Sequence, residues 1–368
     1  MYKEADTLKR LVDYSDIKQI LAQHSRGIDR SDASLFDSVY HDDATVDYGF
    51  FNGAASEFAT IVTAGDTDSP PTLHSSSNIW IKLQGDTALS ESYVMAYSAG
   101  ADADVQSLIG GRYLDRHSKK SGVWKIDHRL YVLDWNANWQ GTGSAAKDFV
   151  KPANWGNQRE KDITHSKLAD WNRLSGATSM AQNLLITEEL LIAANAALAK
   201  QTIHHLIMAQ TRATDRADLG GFLAVWHPGA IVDAGFFVGA ADEYCRTILE
   251  LTASFKKMSH HVANEWIEVK GDKAVSESYV VAFVTKQDDD GDLWDELTGG
   301  RYLDSFSNIN GEWKFTERQF INDWNTRHAC SDQTGEGMYE ALSTRGNKYP
   351  NDPVYAHWDW STLTPTTS

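Results

Sequence analysis

The segment RGIDRSDASLFDSVYHDDATVDYGFFNGA at 26–54 returns without a gap as RATDRADLGGFLAVWHPGAIVDAGFFVGA at 212–240. This repeat constrains the fold more than composition can, because whatever one copy forms the other must form as well. The offset holds over a long stretch: Asp29 and Asp215, Asp47 and Asp233, His74 and His260, and Asn78 and Asn264 all stand 186 residues apart. GDTALSESYVMAY (85–97) extends the match to GDKAVSESYVVAF (271–283). At LIGGRYLD (108–115) and LTGGRYLD (297–304) the offset has grown to 189. The three added residues fall in the acidic TKQDDDGDLWDE (285–296), which reads as a longer hairpin turn. GVWKIDHRLYVLDWN (122–136) then pairs with GEWKFTERQFINDWN (311–325). Even the tails agree, GNQREKDITHSKLADW (156–171) with GNKYPNDPVYAHWDW (346–360).

The chain therefore divides into a first repeat over 1–138, its tail and a Ser/Gly/Ala linker over 139–182, a second repeat over 183–327 and a C-terminal tail over 328–368. Two whole copies of a domain, rather than a solenoid, account for a 368-residue chain. Hydrophobic content of 42% with 23% charged residues is enough to build two cores. A net charge of −17 repels phosphate backbones and anionic lipid, which argues against nucleic-acid or membrane partners. No apolar run approaches the roughly 20 residues of a spanning helix, and the start lacks the apolar core of a signal peptide, so a cytoplasmic protein is expected. Two cysteines, Cys245 and Cys330, provide neither a disulfide scaffold nor a thiolate cluster.

Within each copy, Ile17, Ile20, Leu21, His24 and Ile28 form the stripe of an amphipathic helix, repeated by Ile203, Leu206, Ile207, Gln210 and Thr214. A short helix is expected next (33–39; 217–225), then a short strand (TVDYG; IVDAG) and a helical segment (54–64; 240–256). Four strands close the first unit, at about 74–83, 88–98, 105–117 and 123–134, set apart by turn signals such as QGD and KKSG. Helices first and an antiparallel sheet last is an α+β pattern, with the sheet curled into a cone around an apolar cavity.

These residues resemble a known family. GIDRSD…HDDATVDYG, a His four residues before an Asn, and GGRYLDR…GVWKI…R…DW are similar to the SnoaL-like branch of the NTF2-like superfamily, once per repeat. The resemblance implies two tandem NTF2-like cones. It also implies a small apolar or aromatic substrate and no cofactor, metal included. Members include polyketide cyclases, ketosteroid isomerases, scytalone dehydratase, a bile-acid dehydratase and a hexachlorocyclohexane dehydrochlorinase; non-catalytic binding modules share the fold. In the dehydratases and the dehydrochlorinase an Asp at the end of the first helix and a His at the start of the first long strand form the catalytic pair. By position these are Asp29 with His74 and Asp215 with His260. A neutral imidazole takes a proton at pH 7, and a carboxylate on its other nitrogen fixes the tautomer and stabilises the imidazolium. An Asp at a helix C-terminus also opposes the helix dipole, a cost that suits a functional residue.

Further residues follow from the same comparison. Arg129 and Arg318 match a pocket arginine of the dehydratases. His24 and Gln210 stand where the bile-acid dehydratase carries a Tyr, so the two copies differ there, as they do at Ser75 against His261. Arg112 and Arg301 lie in a strand whose alternate side chains face the cavity; they are read as substrate contacts or as partners of Asp115 and Asp304. Tyr93 and Tyr279, beside Glu91 and Glu277, are carried as substrate contacts too. The resemblance implies a cofactor-independent lyase acting on an aromatic or polycyclic compound by elimination, loss of water or retro-aldol cleavage, a lignin-derived diarylpropane among them. The alternatives are an isomerase or cyclase with Asp as base, and a non-catalytic ligand-binding protein. The two cones are expected to form an internal pseudo-dimer, or to build a homo-oligomer through their sheets. The tails, with Trp155, Trp171, Trp358 and Trp360, are expected over a cavity mouth or between the cones.

Overall fold

The computed structural model describes residues 4–64, 72–99, 105–140, 158–162 and 188–359. The first repeat begins with helices α1 (Glu4–Asp29) and α2 (Ser34–Val39), followed by strands β1 (Tyr40–Asp47) and β2 (Asn52–Ala54) and helix α3 (Ala55–Val62). Four long strands complete it: β3 (Leu73–Gln84), β4 (Thr87–Ala99), β5 (Val105–Lys120) and β6 (Val123–Gln140). The second repeat runs through α4 (Glu188–Asp215), α5 (Leu219–Ala224), β7 (Trp226–Asp233), β8 (Val238–Ala240) and α6 (Ala241–Leu251). Its long strands are β9 (Lys257–Lys270), β10 (Lys273–Gln287), β11 (Leu293–Ile309) and β12 (Glu312–Ala329). Short helices α7 (Gly337–Ala341) and α8 (Pro353–His357) lie in the C-terminal tail.

Each repeat builds one six-stranded sheet, ordered β2-β1-β6-β5-β4-β3 and β8-β7-β12-β11-β10-β9. The sheets are mixed rather than antiparallel as expected, because β1 runs parallel to β6, and β7 to β12. The alternation in TVDYG marks a strand but carries no information about its neighbour's direction; here it places Val46 beside Arg129. The α1 stripe fills the concave face, with Ile17, Ile20, Leu21 and His24 buried beneath it. A twin glycine bends the sheet: Trp135 lies so close over Gly110 that any Cβ there would meet the indole at 2.1 Å, and Trp324 repeats this over Gly299. A second irregularity sits at Asn78 (φ 47°) and Asn264 (φ 50°), a left-handed conformation that Asn tolerates, at breaks in the β3–β4 and β9–β10 register.

The cones form an internal pseudo-dimer, in which outer-face residues of both sheets meet, Trp135 against Phe283 and Tyr93 against His261. The outer face of the first sheet receives the rim of the second cone. There the Trp135 ring stacks on Phe283 with centroids 4.0 Å apart, and Asn78 holds the β9 backbone by donating to His260 O (2.7 Å) and accepting from Val262 N (2.6 Å). The C-terminal tail joins the same face. Asp352 takes two hydrogen bonds from Arg112 (2.8 and 2.7 Å) and one from Arg216 (3.3 Å), while Val354 is buried against Leu114 and Val132. Trp358 stands against Trp80, so this part of the tail lies at the interface of the cones; Trp155, Trp171 and Trp360 lie outside the described residues. Among the described residues no helix is long and apolar enough to cross a membrane.

Candidate active site

Helix α1 ends on Asp29 and strand β3 opens beside it, and this junction assembles the predicted pair. His74 Nδ1 lies 2.7 Å from Asp29 Oδ1, and the His74 backbone N–H donates to Oδ2 of the same carboxylate at 2.9 Å. In the second repeat His260 Nδ1 is 2.5 Å from Asp215 Oδ1, with the His260 N–H on Oδ2 at 3.0 Å. A carboxylate at Nδ1 fixes the proton on that nitrogen and leaves Nε2 with its lone pair, the form a general base requires. Burial works against the Asp215 carboxylate, but His260 and Arg216 outweigh it and hold its pKa below the ordinary value. The further donor to each carboxylate differs, and on Asp29 Oδ1 it is the Thr72 hydroxyl at 2.9 Å. The Tyr93 hydroxyl, from the outer face of the first sheet, donates to Asp215 Oδ2 at 3.2 Å.

The surroundings of the two pairs differ more than the pairs do. In the second cone a cavity of about 210 Å³ reaches His260, walled by Val232, Ala234, Val280, Ala282 and Phe320 and carrying the polar groups of Gln210, Thr214, Tyr302 and Arg318. In the first cone the residue matching Ala234 is Tyr48. Its ring stacks on Phe58 (4.3 Å) and Tyr131 (5.4 Å), and its hydroxyl lies 3.4 Å from His24 Nε2. The space that Ala234 leaves open is thus filled by an aromatic cluster in the first repeat. His24 sits wholly inside that cluster, where burial pushes its pKa well below the usual histidine value, so it is a neutral core residue.

Arg318 lies in the cavity wall, bidentate to Asp304 (2.6 and 2.8 Å), with Nη1 donating to Gln210 Oε1 at 2.5 Å. Its charge is already neutralised by Asp304, so toward a ligand it offers a hydrogen bond rather than a net positive charge. Arg129 repeats the pairing with Asp115 (2.7 and 2.7 Å) over the ring of Tyr113. Among the described residues no group of three His, Cys, Asp or Glu side chains gathers as a metal site.

Comparison with known proteins agrees with this architecture. The SnoaL-like domain matches residues 9–130 and again 195–319, more than half of the chain. The chain belongs to the SnoaL-like family. No curated protein matches it. Similar solved structures include a candidate scytalone dehydratase from Novosphingobium aromaticivorans, 22% identical, covering 39% of this chain and 98% of its own, with a TM-score of 0.33. Another is a hexachlorocyclohexane dehydrochlorinase from Novosphingobium barchaimii, 18% identical, covering 36% and 92%, with a TM-score of 0.32. A third is a candidate NTF2-like dehydratase from Streptomyces avermitilis, 16% identical, covering 35% and 99%, with a TM-score of 0.30.

Four of the residues carried as substrate contacts lie elsewhere on the SnoaL-like cones. Arg112 and Arg301 point to the outer sheet faces and pair with Asp134 and Asp323, not with Asp115 and Asp304, which belong to Arg129 and Arg318. The alternation of the strand runs one residue out of phase with that expectation, since Tyr113 and Tyr302 face inward. Tyr93 and Tyr279 share the outer face with Arg112 and Arg301; Tyr93 is 1% exposed beneath the second cone and Tyr279 is 49% exposed. His261, opposite Ser75, lines the interface of the SnoaL-like cones with its ring 5.7 Å from that of Tyr93. Sequence reasoning missed Tyr48 against Ala234, although TVDYG against IVDAG displays the difference.

Proposed function

We propose that the second cone is a cofactor-independent lyase whose base is His260 and whose positioning carboxylate is Asp215. The observation that carries this reading is that the pair opens on a cavity in this cone, whereas Tyr48 fills the equivalent space in the other. His260 Nε2 takes a proton from a carbon made acidic by a neighbouring carbonyl or leaving group. The C–H electron pair becomes the new double bond, and the leaving group departs with its own pair from the adjacent carbon. Asp215 stabilises the imidazolium that results. A remaining Arg318 N–H or the Gln210 amide would hydrogen-bond an oxygen on which charge develops.

The cavity volume lies below the roughly 300–1,000 Å³ of drug-sized sites, which favours a one-ring substrate over a diarylpropane or polycycle. Its apolar walls suit a halogenated or hydroxylated cyclic compound. The test is a panel of such compounds, with release of halide or water followed by mass spectrometry. His260→Ala is expected to abolish turnover and His74→Ala to leave it. Turnover that survives His260→Ala, or is lost on His74→Ala alone, removes the proposal. Saturable binding without any product would make the cavity a binding site only.

A further inference from the structure

We infer that the outer face of the second sheet is a docking surface for the first cone of another copy of this chain, and that this contact repeats the one between the two cones within the chain. The inference does not depend on the catalytic reading.

The internal interface is the template. Five of its contacts recur in pattern: Tyr93 with Asp215 (3.2 Å), Asn78 with His260 O (2.7 Å), Glu91 with Arg212 (3.3 Å), Arg112 with Asp352 (2.7 Å) and Trp135 with Phe283 (4.0 Å between rings). The first partner of each lies on the first sheet, and the second lies on the rim or tail of the second cone. The duplication supplies both halves of this interface a second time.

On the second sheet the counterparts of Tyr93, Asn78, Glu91, Arg112 and Trp135 are Tyr279, Asn264, Glu277, Arg301 and Trp324, identical at every position. They stand on an open face. Tyr279 is 49% and Trp324 46% exposed, where Tyr93 and Trp135 are 1% exposed, and Trp266 beside them is 68% exposed. Large aromatic residues with an arginine among them are what interface centres are made of, and exposing this many costs solubility in a lone chain.

On the first cone the counterparts of Asp215, His260, Arg212, Asp352 and Phe283 are Asp29, His74, Arg26, Asp162 and Tyr97. The chemistry of each is kept. Asp162 ends GNQREKD as Asp352 ends GNKYPND, and the segments dock alike. Arg159 N donates to Arg30 O (2.7 Å) as Tyr349 N does to Arg216 O (2.6 Å), and Asp162 lies 3.6 Å from Arg30 as Asp352 does 3.3 Å from Arg216. Beside Asp29 and His74 runs a groove of about 340 Å³ lined by Ala22, Ser25 and Ser76. In the second cone the residue matching Ala22 is Met208, which is buried. Charge pairs correctly across the inferred contact, Glu277 toward Arg26 and Arg301 toward Asp162. The Tyr279 hydroxyl would reach Asp29 of the neighbouring copy as Tyr93 reaches Asp215. Because each copy uses one face and presents another, the assembly is head to tail.

Analytical ultracentrifugation of the full chain tests this with two variants, each checked by circular dichroism for an intact fold. Trp266→Glu with Tyr279→Arg spoils the sheet face, and Ala22→Arg spoils the rim. The wild-type chain is expected to sediment as a multimer and each variant alone as a monomer. An equimolar mixture of the two variants, which retains one good face of each kind, is expected to give a dimer and nothing larger. A wild-type chain that stays monomeric up to its solubility limit, variants that still assemble alone, or a mixture without a dimer would each overturn the inference.

Discussion

Tyr93 and Asp215 belong to different cones, yet the hydroxyl of one donates to Oδ2 of the other at 3.2 Å, and both are buried. The carboxylate that orients His260 is therefore held in part by the neighbouring repeat. Tyr93→Phe removes only the hydroxyl. A hydrogen bond to a charged group contributes about 1.5–3 kcal/mol, so kcat is expected to fall about tenfold or more. Tyr93 does not line the cavity, and KM is expected to stay within about twofold. A kcat that stays at the wild-type value would make Tyr93 a packing residue.

The exchange of Tyr48 and Ala234 should be readable in both directions. Ala234→Tyr is expected to abolish ligand binding, measured by calorimetry, while leaving His260 and Asp215 in place. Tyr48→Ala removes a buried ring stacked on two others, a change that costs about 3–5 kcal/mol in a core, and is expected to lower the thermal midpoint.

Asp352 ties the tail to both cones. Burial alone would raise its carboxyl, but Arg112 and Arg216 outweigh that and hold it well below the ordinary carboxylate range. A folded pKa below the unfolded one means that the stabilisation is complete above the unfolded value of about 3.9 and is lost as the pH falls through the lower folded value. Asp352→Asn breaks a buried pair and is expected to cost about 3–5 kcal/mol at neutral pH. Its thermal midpoint should then fall less steeply than that of the wild type below the ordinary carboxylate range.

His261 loads the same interface with a second acid sensitivity. Burial pushes its pKa from 6.5 down to about 4, so it is neutral in the folded chain. Its contribution to acid sensitivity begins below the unfolded value and grows as the pH falls through the folded one. His261→Asn, which cannot titrate, is expected to flatten stability between those two values in denaturant titrations. An unchanged slope would place the titrating group elsewhere.

Much of this architecture was legible because duplication doubles every signal. The α1 stripe and the four long strands follow from spacing and from the offset between repeats, and the family resemblance points to both His–Asp pairs. What escaped is whatever depends on direction. The parallel pairing of β1 with β6 leaves no trace in the alternation of a strand eight residues long. The phase of GGRYLD is hidden because the two glycines before Arg112 carry no side chain to mark either face and the register shifts between them, so Arg112 is expected inside although its charge is satisfied outside by Asp134 and Asp352. The arrangement of the cones was equally hidden, since Tyr93 and Tyr279 are identical in sequence and opposite in exposure.

The aromatic cluster around Tyr48 has an evolutionary consequence. On the proposed reading the first cone answers to selection for shape rather than for turnover, and its His–Asp pair persists because Asp29 fastens the start of β3. Drift among descendants of this chain should accordingly spare Tyr93, Asn78 and Trp135, through which the first repeat serves the second, together with the aromatic cluster that keeps its interior packed.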